Sequence, residues 1–230
     1  MKKKLVVLTG AGMSAESGIK TFRDSDGLWE GHNVHEVATP EGWFANPELV
    51  LDFYNQRRKQ LKEVQPNLGH LILTELEDHF EVVVITQNVD DLHERAKNSN
   101  ILHLHGELLK VRSTKNYEDQ LDWTEDLYLG DSDVHGNQLR PHIVWFGEEV
   151  PALEEAIYLT QSADFFAVIG TSLQVYPAAG LLNYTKPGTP VFYIDPKPVN
   201  IPNLSNPVEV IPEMASTGMK ILKKRLLEII

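Results

Sequence analysis

Short, nearly unbroken apolar runs recur along the chain, each closed by glycine or a polar cluster, with helically spaced stretches between them. Residues 5–8 (L-V-V-L) are the first such run; 81–86, 101–104, 143–146, 165–169 and 191–194 repeat the form. Runs this short, rich in β-branched and aliphatic residues and lacking alternation, predict strands buried on both faces. Residues 46–64 instead mix apolar and charged positions at helical spacing, with Asn46 as N-cap and Pro47 in the first turn. Helices are also predicted over 67–77, near 152–161, over 177–184, and as an amphipathic closing element over 214–230. Between 109 and 138 the pattern lapses into polar, glycine-bearing sequence, which reads as a small excursion. Repeated alternation of strand and helix places the chain in the α/β class, with a parallel sheet covered on both faces.

The first apolar run leads directly into G-A-G-M-S-A-E-S-G, in which Gly10 and Gly12 allow a tight turn and residues 13–17 begin a helix. Strand, glycine turn and helix N-terminus together make an anion site, most often for a dinucleotide pyrophosphate. The spacing is G-x-G-x-x-A, and short glycine turns also occur simply to pack helix on strand, so both readings stand on these residues. The fold expected is a Rossmann-like doubly wound parallel sheet with a small inserted domain. The single domain, 1–230, would have its core in 1–30, 78–108 and 139–230 and small-domain segments at about 31–77 and 109–138. No second strand ending in an acidic residue follows some 20 positions on, as a dinucleotide fold would have it; residues 21–31 are polar loop sequence carrying Asp24 and Asp26.

Composition narrows the chemistry. Apolar residues make up 42% and charged residues 23%, ordinary for a globular chain. No apolar run approaches the roughly 20 residues that span a bilayer, and the Lys2–Lys4 cluster with residues 5–8 is too short for a signal peptide. The chain therefore reads as cytoplasmic, with no membrane partner. A formal charge of −12 argues against nucleic acid and suits basic partners such as lysine-bearing peptides. There is no cysteine, which excludes disulfides, a cysteine nucleophile and thiolate zinc ligands.

Three predicted strand ends carry small or polar clusters: 10–14, 87–90 and 170–172. Packing explains any one of them, but three at one sheet edge imply a long ligand lying across it. Here the motifs become specific. G-A-G-M-S-A-E-S-G-I-K-T-F-R, T-Q-N-V-D, H-G-E-L, V-W-F-G-E and G-T-S, in this order, resemble the signature set of the sirtuins, the NAD-dependent protein-lysine deacylases. The resemblance runs from residue 5 to about 215 and lapses only over 109–138; the family's usual isoleucine-proline is Ile19-Lys20 here.

The resemblance implies that acyl-lysine and NAD meet in a tunnel, the acyl oxygen attacking C1′ of the nicotinamide ribose. Nicotinamide leaves, and O-acyl-ADP-ribose and free lysine follow. His105 would be the general base, a role that an imidazole with an ordinary pKa of ~6.5 suits, and Asn88 would act beside it. Gly10, Ala11, Gly12, Ser14, Ala15, Phe22 and Arg23 would hold the cofactor with Gln87, Asn88, Val89 and Asp90, Phe22 shielding the reactive centre from water. Gly170, Thr171 and Ser172 would serve phosphate or ribose, Asp195 the adenosine ribose and Ala215 the adenine. Asp195 is equally an ordinary loop residue before Pro196, and His103 is a strand-end histidine suited to a backbone hydrogen bond. Val144, Phe146, Gly147 and Glu148 would form one wall of the acyl-lysine slot, with Val175 and Tyr176 the other and the peptide adding as a strand. The loop at 21–31 becomes a cover over the nicotinamide end.

Tyr54 and Arg57 lie at i and i+3 of the predicted helix and share a face. Exposed helices carry such residues for solubility alone, yet Y-x-x-R resembles the pair marking sirtuins that remove succinyl, malonyl and glutaryl groups. A guanidinium fork pairs bidentately with a carboxylate, and Ala38 is small where a bulkier residue would narrow the pocket. The family's four-cysteine zinc module is missing: Ser113 stands at the first cysteine position, and no metal is expected. Asp131, Asp133 and His135 read as a solvated cluster, and Leu121, Trp123, Leu127 and Tyr128 as the packing that holds the small domain instead. Two further readings remain: ADP-ribosyl transfer or NAD hydrolysis, for which an acyl-carboxylate clamp has no use, and a sensor of NAD or ADP-ribose, which needs no base.

Overall fold

The computed structural model describes residues 2–20, 28–29, 31–201 and 204–229. Strand β1 (Lys3–Thr9) leads into helix α1 (Ala11–Ser14) and a 3-10 turn (Ala15–Ser17). A two-stranded ribbon, β2 (Leu28–Trp29) and β3 (His32–Asn33), precedes four helices: α2 (Val34–Val37), α3 (Pro40–Ala45), α4 (Pro47–Glu63) and α5 (Leu68–Leu76). Then come β4 (Phe80–Thr86), α6 (Leu92–Arg95), β5 (Ile101–His103), β6 (Gly106–Ser113), β7 (Gln120–Asp122) and β8 (Leu139–Ile143). The chain ends with α7 (Leu153–Gln161), β9 (Phe165–Ile169), a 3-10 helix (Ala178–Tyr184), β10 (Val191–Ile194), β11 (Val208–Ile211) and α8 (Ala215–Ile229).

The main sheet has the order β11-β10-β9-β1-β4-β5, and each pair in it is parallel. Alternate residues of each central strand enter different cores, as strand geometry requires. Leu5 and Val7 of β1 pack with Met13, α5 and α8, while Val6 and Leu8 pack on the opposite face with Ala156, Leu181 and Leu182. The expected strands are therefore two-sided, which is why their sequences show no alternation. Register aligns their ends: Thr9 pairs with Thr86 and Ile169, Thr86 with His103, and Ile169 with Ile194. Strand order reverses at β1, so the crevice beyond Thr9, between β4 and β9, is where an open α/β sheet takes a ligand.

A separate antiparallel sheet, β7-β6-β8, covers α4. Its core contains Val50, Phe53 and Tyr54 of α4 with Leu108, Val111, Leu127 and Trp145. Several expectations change here. The polar excursion over 109–138 contains β7 and most of β6, and the strand expected over 143–146 is Leu139–Ile143, followed by a turn. The two sheets meet at Gly106, whose φ is +83° and whose missing Cβ would lie 2.0 Å from the His142 carbonyl oxygen. Helix α5, placed by sequence in a small-domain segment, packs its Ile72, Leu73 and Leu76 into the main core, because its apolar face meets β4 and α8. Short β11 had no counterpart in the expected elements, its burial alternating along an edge. Helix 13–17 begins instead at Ala11 and ends as a 3-10 turn; the segment expected over 177–184 is likewise 3-10.

The small sheet is fastened by polar groups more than by the proposed apolar set. Leu127 is fully buried and Trp123 half-buried, but Leu121 and Tyr128 are 48% and 61% exposed. Asn55 of α4 instead holds the Leu127 backbone at both ends: Nδ2 donates to the Leu127 carbonyl at 3.0 Å and Oδ1 accepts from its N–H at 2.8 Å. Arg58 donates to the same Oδ1 at 2.7 Å and to the Leu108 carbonyl at 3.0 Å. Ser113, at the first cysteine position, donates to Asp133 at 2.6 Å, and Asp133 also accepts from His135 N and from both Asn137 nitrogens. Asp133, read as merely solvated, is thus the hub of a hydrogen-bonded loop. Replacing Asn55 with Ala strands a buried N–H and a buried guanidinium donor; the expected loss is about 3 kcal/mol, measured by urea unfolding against the unchanged protein.

Candidate functional site

The turn after β1 is pressed against the end of β9. Gly10 N donates to Ile169 O at 3.0 Å and Gly12 N to Gly170 O at 2.8 Å. A Cβ on Gly12 would lie 2.6 Å from Gly170 Cα, and one on Gly170 would lie 2.3 Å from Met13 N. Met13 N donates to Gly10 O at 2.9 Å, so all three of these N–H groups are committed, two to the end of β9 and one within the turn, rather than presented as a free anion cradle. The glycines thus serve close packing, and they bring the turn directly beside Thr171, whose Cβ would lie 2.7 Å from a Cβ on Gly10.

Polar groups then knit the three strand ends together. Asn88 Nδ2 donates to Ser14 Oγ at 3.0 Å, and Ser14 Oγ–H donates to Asp90 Oδ2 at 2.9 Å. Asp90 Oδ1 accepts from Leu92 N at 3.2 Å, and Asn88 N donates to Thr86 Oγ1 at 3.0 Å. Beneath them Thr9 Oγ1 donates to Thr86 Oγ1 at 2.8 Å and lies 3.2 Å from His93 Nε2. Gln87 Nε2 reaches across to Thr171 Oγ1 at 3.2 Å, linking the ends of β4 and β9 over β1. Burial raises the Asp90 carboxyl to about 6, against the pull of the Ser14 and Leu92 hydrogen bonds. At neutral pH the site thus holds a buried carboxylate ready to receive hydroxyl or amide donors.

Two histidines follow β5. His105 Nδ1 is 3.1 Å from the Gln87 carbonyl oxygen, and His103 Nδ1 is 3.1 Å from the Asn88 carbonyl oxygen. A carbonyl only accepts, so each Nδ1 carries a proton. In His105 this leaves Nε2 as the basic nitrogen, and burial lowers its pKa despite the Gln87 bond. It is a neutral base of fixed tautomer. Sequence gave the backbone bond to His103; the structure gives one to each.

Tyr54, Arg57, Val89 and Asp90 line one pocket together with Lys20 and Gln60. The Tyr54 ring is fully buried, and its oxygen accepts from Trp145 Nε1 at 3.0 Å. Arg57 is half-buried, its guanidinium 5.3 Å from the centre of the Phe53 ring. Ala38 is buried, and its carbonyl accepts from Phe146 N at 3.0 Å; Val144 N donates to His105 O at 2.9 Å. The run 144–147 is therefore tied to Ala38 on one side and to His105 on the other, with Phe146 and Gly147 exposed. Glu148 departs from its expected place in the slot wall. Its carboxylate takes Arg140 Nη1 at 2.6 Å, Arg112 Nη2 at 3.3 Å and Trp145 N at 2.8 Å. Sequence could not show this, because both arginines come from the antiparallel sheet.

The remaining candidates are less concentrated. Ala11 and Ala15 are half-buried in the turn; Thr171 is buried and Ser172 half-buried. Asp195 is buried at the end of β10, where Oδ1 accepts from Lys197 N at 2.8 Å. Ala215 lies in the main core at the start of α8. Val175 and Tyr176 follow β9, Tyr176 largely exposed. Phe22 and Arg23, and most of the loop proposed as a cover, lie outside the described residues. Lys20 and Gln60 were missed as pocket residues; Lys20 was visible only as a departure from isoleucine-proline. Glu94, His103 and Glu107 bring potential ligand atoms within 4.8 Å of one another. Glu94 already binds His103 and Glu107 binds Lys110.

The close turn at Gly10, Gly12 and Gly170 brings the buried Asp90 carboxylate and Asn88 amide together at the crevice end of the sheet, and that acceptor and donor set fits sugar hydroxyls and a carboxamide, as NAD carries. The comparisons agree. A model of the Sir2 family matches residues 10–177, and the chain belongs to that family. It is 58% identical over 226 residues to an NAD-dependent protein deacylase of Helicobacter pylori, covering 98% of each chain. It is 56% identical over 231 residues to one of Bacteroides thetaiotaomicron, again covering 98% of each. The solved structure of a Sir2 homologue–NAD complex superposes with a TM-score of 0.86 at 38% identity, covering 99% of this chain and 91% of that one. NAD is the family's co-substrate.

The raised Asp90 pKa carries a testable cost. Between the ordinary carboxyl value and about 6 the folded state holds a proton that the unfolded state releases, so stability falls as pH rises through that window. Asp90→Asn removes the buried charge; the fold should gain about 1–3 kcal/mol at pH 7.5 and almost nothing at pH 4. Denaturation midpoints at the two pH values check it.

Proposed function

We propose that the chain is a protein-lysine deacylase that consumes NAD and favours acyl groups ending in a carboxylate, succinyl and malonyl, with some activity on acetyl-lysine. That it is an NAD-dependent protein deacylase rests on membership of the Sir2 family and on relatives of that name matching over 98% of both chains. The observation that carries the finer reading is the shared pocket: Tyr54 and Arg57 of α4 face the same space as Val89 and Asp90. A carboxylate on the far end of an acyl chain would meet a guanidinium there, while its lysine end lies toward the residues of the NAD site.

NAD supplies an electrophilic ribose carbon and nicotinamide as leaving group. The chain's residues hold and deprotonate. The turn at Gly10 and Gly12, packed on Gly170, and Thr171 beside it are proposed to meet phosphates and ribose, and Gln87 ties the ends of β4 and β9 together there. Asn88 and Asp90 offer an amide and a carboxylate to the nicotinamide end. His105, held through Nδ1, takes up a proton at Nε2. Tyr54, fixed by Trp145, and Arg57 orient the acyl group. The acyl peptide is proposed to lie along the edge at 144–147, opposite Val175 and Tyr176. Asp195 is proposed for the adenosine ribose and Ala215 for the adenine. No described helix is long and apolar enough to cross a membrane.

The test is NAD-dependent mass change on acetyl-, succinyl- and malonyl-lysine peptides. Removing charge-assisted bonds worth about 3 kcal/mol, Arg57→Met should lower kcat/KM for succinyl-lysine about 100-fold, and change acetyl-lysine far less. Equal losses on both substrates would remove the acidic-acyl assignment. His105→Ala should depress all three by about 10²–10⁴.

A further inference from the structure

Two histidines two residues apart make the same contact to consecutive carbonyls, yet their second nitrogens differ. His105 is bonded through Nδ1 to the Gln87 carbonyl and keeps Nε2 as a base. His103 is bonded through Nδ1 to the Asn88 carbonyl, and its Nε2 lies 2.7 Å from Glu94 Oε1. Both partners of His103 are acceptors. A neutral imidazole has one N–H and can satisfy one of them; only the imidazolium satisfies both. Its side chain is 10% exposed, so water does not readily replace either partner.

We propose that His103 is a positioning residue for Asn88, spanning the Glu94 carboxylate and the Asn88 carbonyl as a doubly protonated imidazolium. The Asn88 peptide is thereby gripped on both sides. Its N–H donates to Thr86 Oγ1, its side chain to Ser14, and its carbonyl accepts from a cation. The amide that meets the nicotinamide end is held by three bonds from three elements.

The surrounding charges favour this state. From α6, Glu94 faces the ring, with Asp91 and Arg95 on the same helix and His93 buried beneath; from β6 comes Glu107, itself paired with Lys110. Asp90 and His105 flank it on its own side, and His142 approaches from β8. Burial pushes His93 and His142 each down to about 4 and lowers His105, so none of the three competes for positive charge at neutral pH. For His103 burial also opposes the charge, but the Glu94 hydrogen bond and the Glu94 and Glu107 charges outweigh it, and the pKa is raised. A raised histidine stabilises its state below the ordinary value of ~6.5 and loses that contribution as pH climbs through the raised one. The grip on Asn88 should therefore weaken on the alkaline side, and the cation helps keep neighbouring Asp90 ionised.

The proposal rests on Asn88 and Asp90 serving NAD, so the test uses NAD binding and not deacylation. In ¹⁵N-labelled full-length protein, imidazole spectra at pH 7 should show both nitrogens of His103 protonated and His105 protonated at Nδ1 alone. NAD affinity, measured by calorimetry, should decline in the unchanged protein as pH rises past the His103 titration. His103→Gln should bind NAD about 3–10-fold more weakly at pH 7 and lose that alkaline decline. Glu94→Gln, a change at an exposed position, should move the decline to lower pH. A neutral His103 at pH 7 overturns the proposal, as does His103→Gln with unchanged NAD affinity and an unchanged pH profile. Correct histidine states and NAD behaviour in a protein that removes no acyl group would instead sink the deacylase reading and leave this one standing.

Discussion

Two backbones touch where no side chain can come between them. Gly12 lies against Gly170, and neither could carry a Cβ without displacing the other's main chain. Because β1 and β9 are adjacent and parallel, that contact draws the turn after β1 over the end of β9. Ser14 is then carried to the end of β4, where Asn88 and Asp90 can reach its hydroxyl. A larger residue at either glycine would lift the turn, and the bond between Ser14 and Asp90 would lengthen with it. The geometry of the candidate site is a consequence of packing density at one crossing.

Under that crossing lies a chain of buried polar groups. Thr9 and Thr86 pair across β1 and β4, His93 contacts Thr9 at one ring nitrogen and Asn98 at the other, and Asn98 donates to Thr74 and the His70 carbonyl. Such groups are costly when unpaired and specifying when paired. The arrangement explains why strands of otherwise continuous apolar character both end in threonine. Burial holds His93 neutral against the pull of its Asn98 bond, so that positive charge near Asp90 comes from His103 and not from the helix below.

What the chain disclosed in advance follows the same physics. Two-sided burial leaves an unbroken apolar signature, so β1, β4, β9 and β10 were legible, as were the N-cap at Asn46 and the glycine turn. The antiparallel sheet was not. Its strands have partners distant in sequence, and residues such as Arg112 and Arg140 are buried by virtue of Glu148, which no local pattern reveals. Strand β11 is four residues long, V-E-V-I at a sheet edge, interrupted by a charge and too short to stand out as a pattern. At the site, residue types were readable from family motifs; the hydrogen-bond partner that fixes each of them was not. His103 illustrates this: sequence suggested its backbone bond, while Glu94 across α6 determines its charge.

The small sheet also bears on the pocket lined by Tyr54 and Arg57. Glu148 binds arginines from β6 and β8, and Arg140 stacks its guanidinium 3.3 Å from the centre of the Trp145 ring. Trp145 in turn donates to the Tyr54 hydroxyl inside the pocket. The charge of Glu148, favoured by the arginines against the cost of burial, is therefore two contacts from the Tyr54 phenol, through the Trp145 backbone and indole. Asn55, Ser113 and Asp133 fasten this sheet and its loop at the far side, and Glu148 at the near side. The near fastening is shared with the wall of the pocket that Tyr54 and Arg57 line, so loosening the sheet would disturb that pocket before the glycine turn, whose Met13 belongs to the other core.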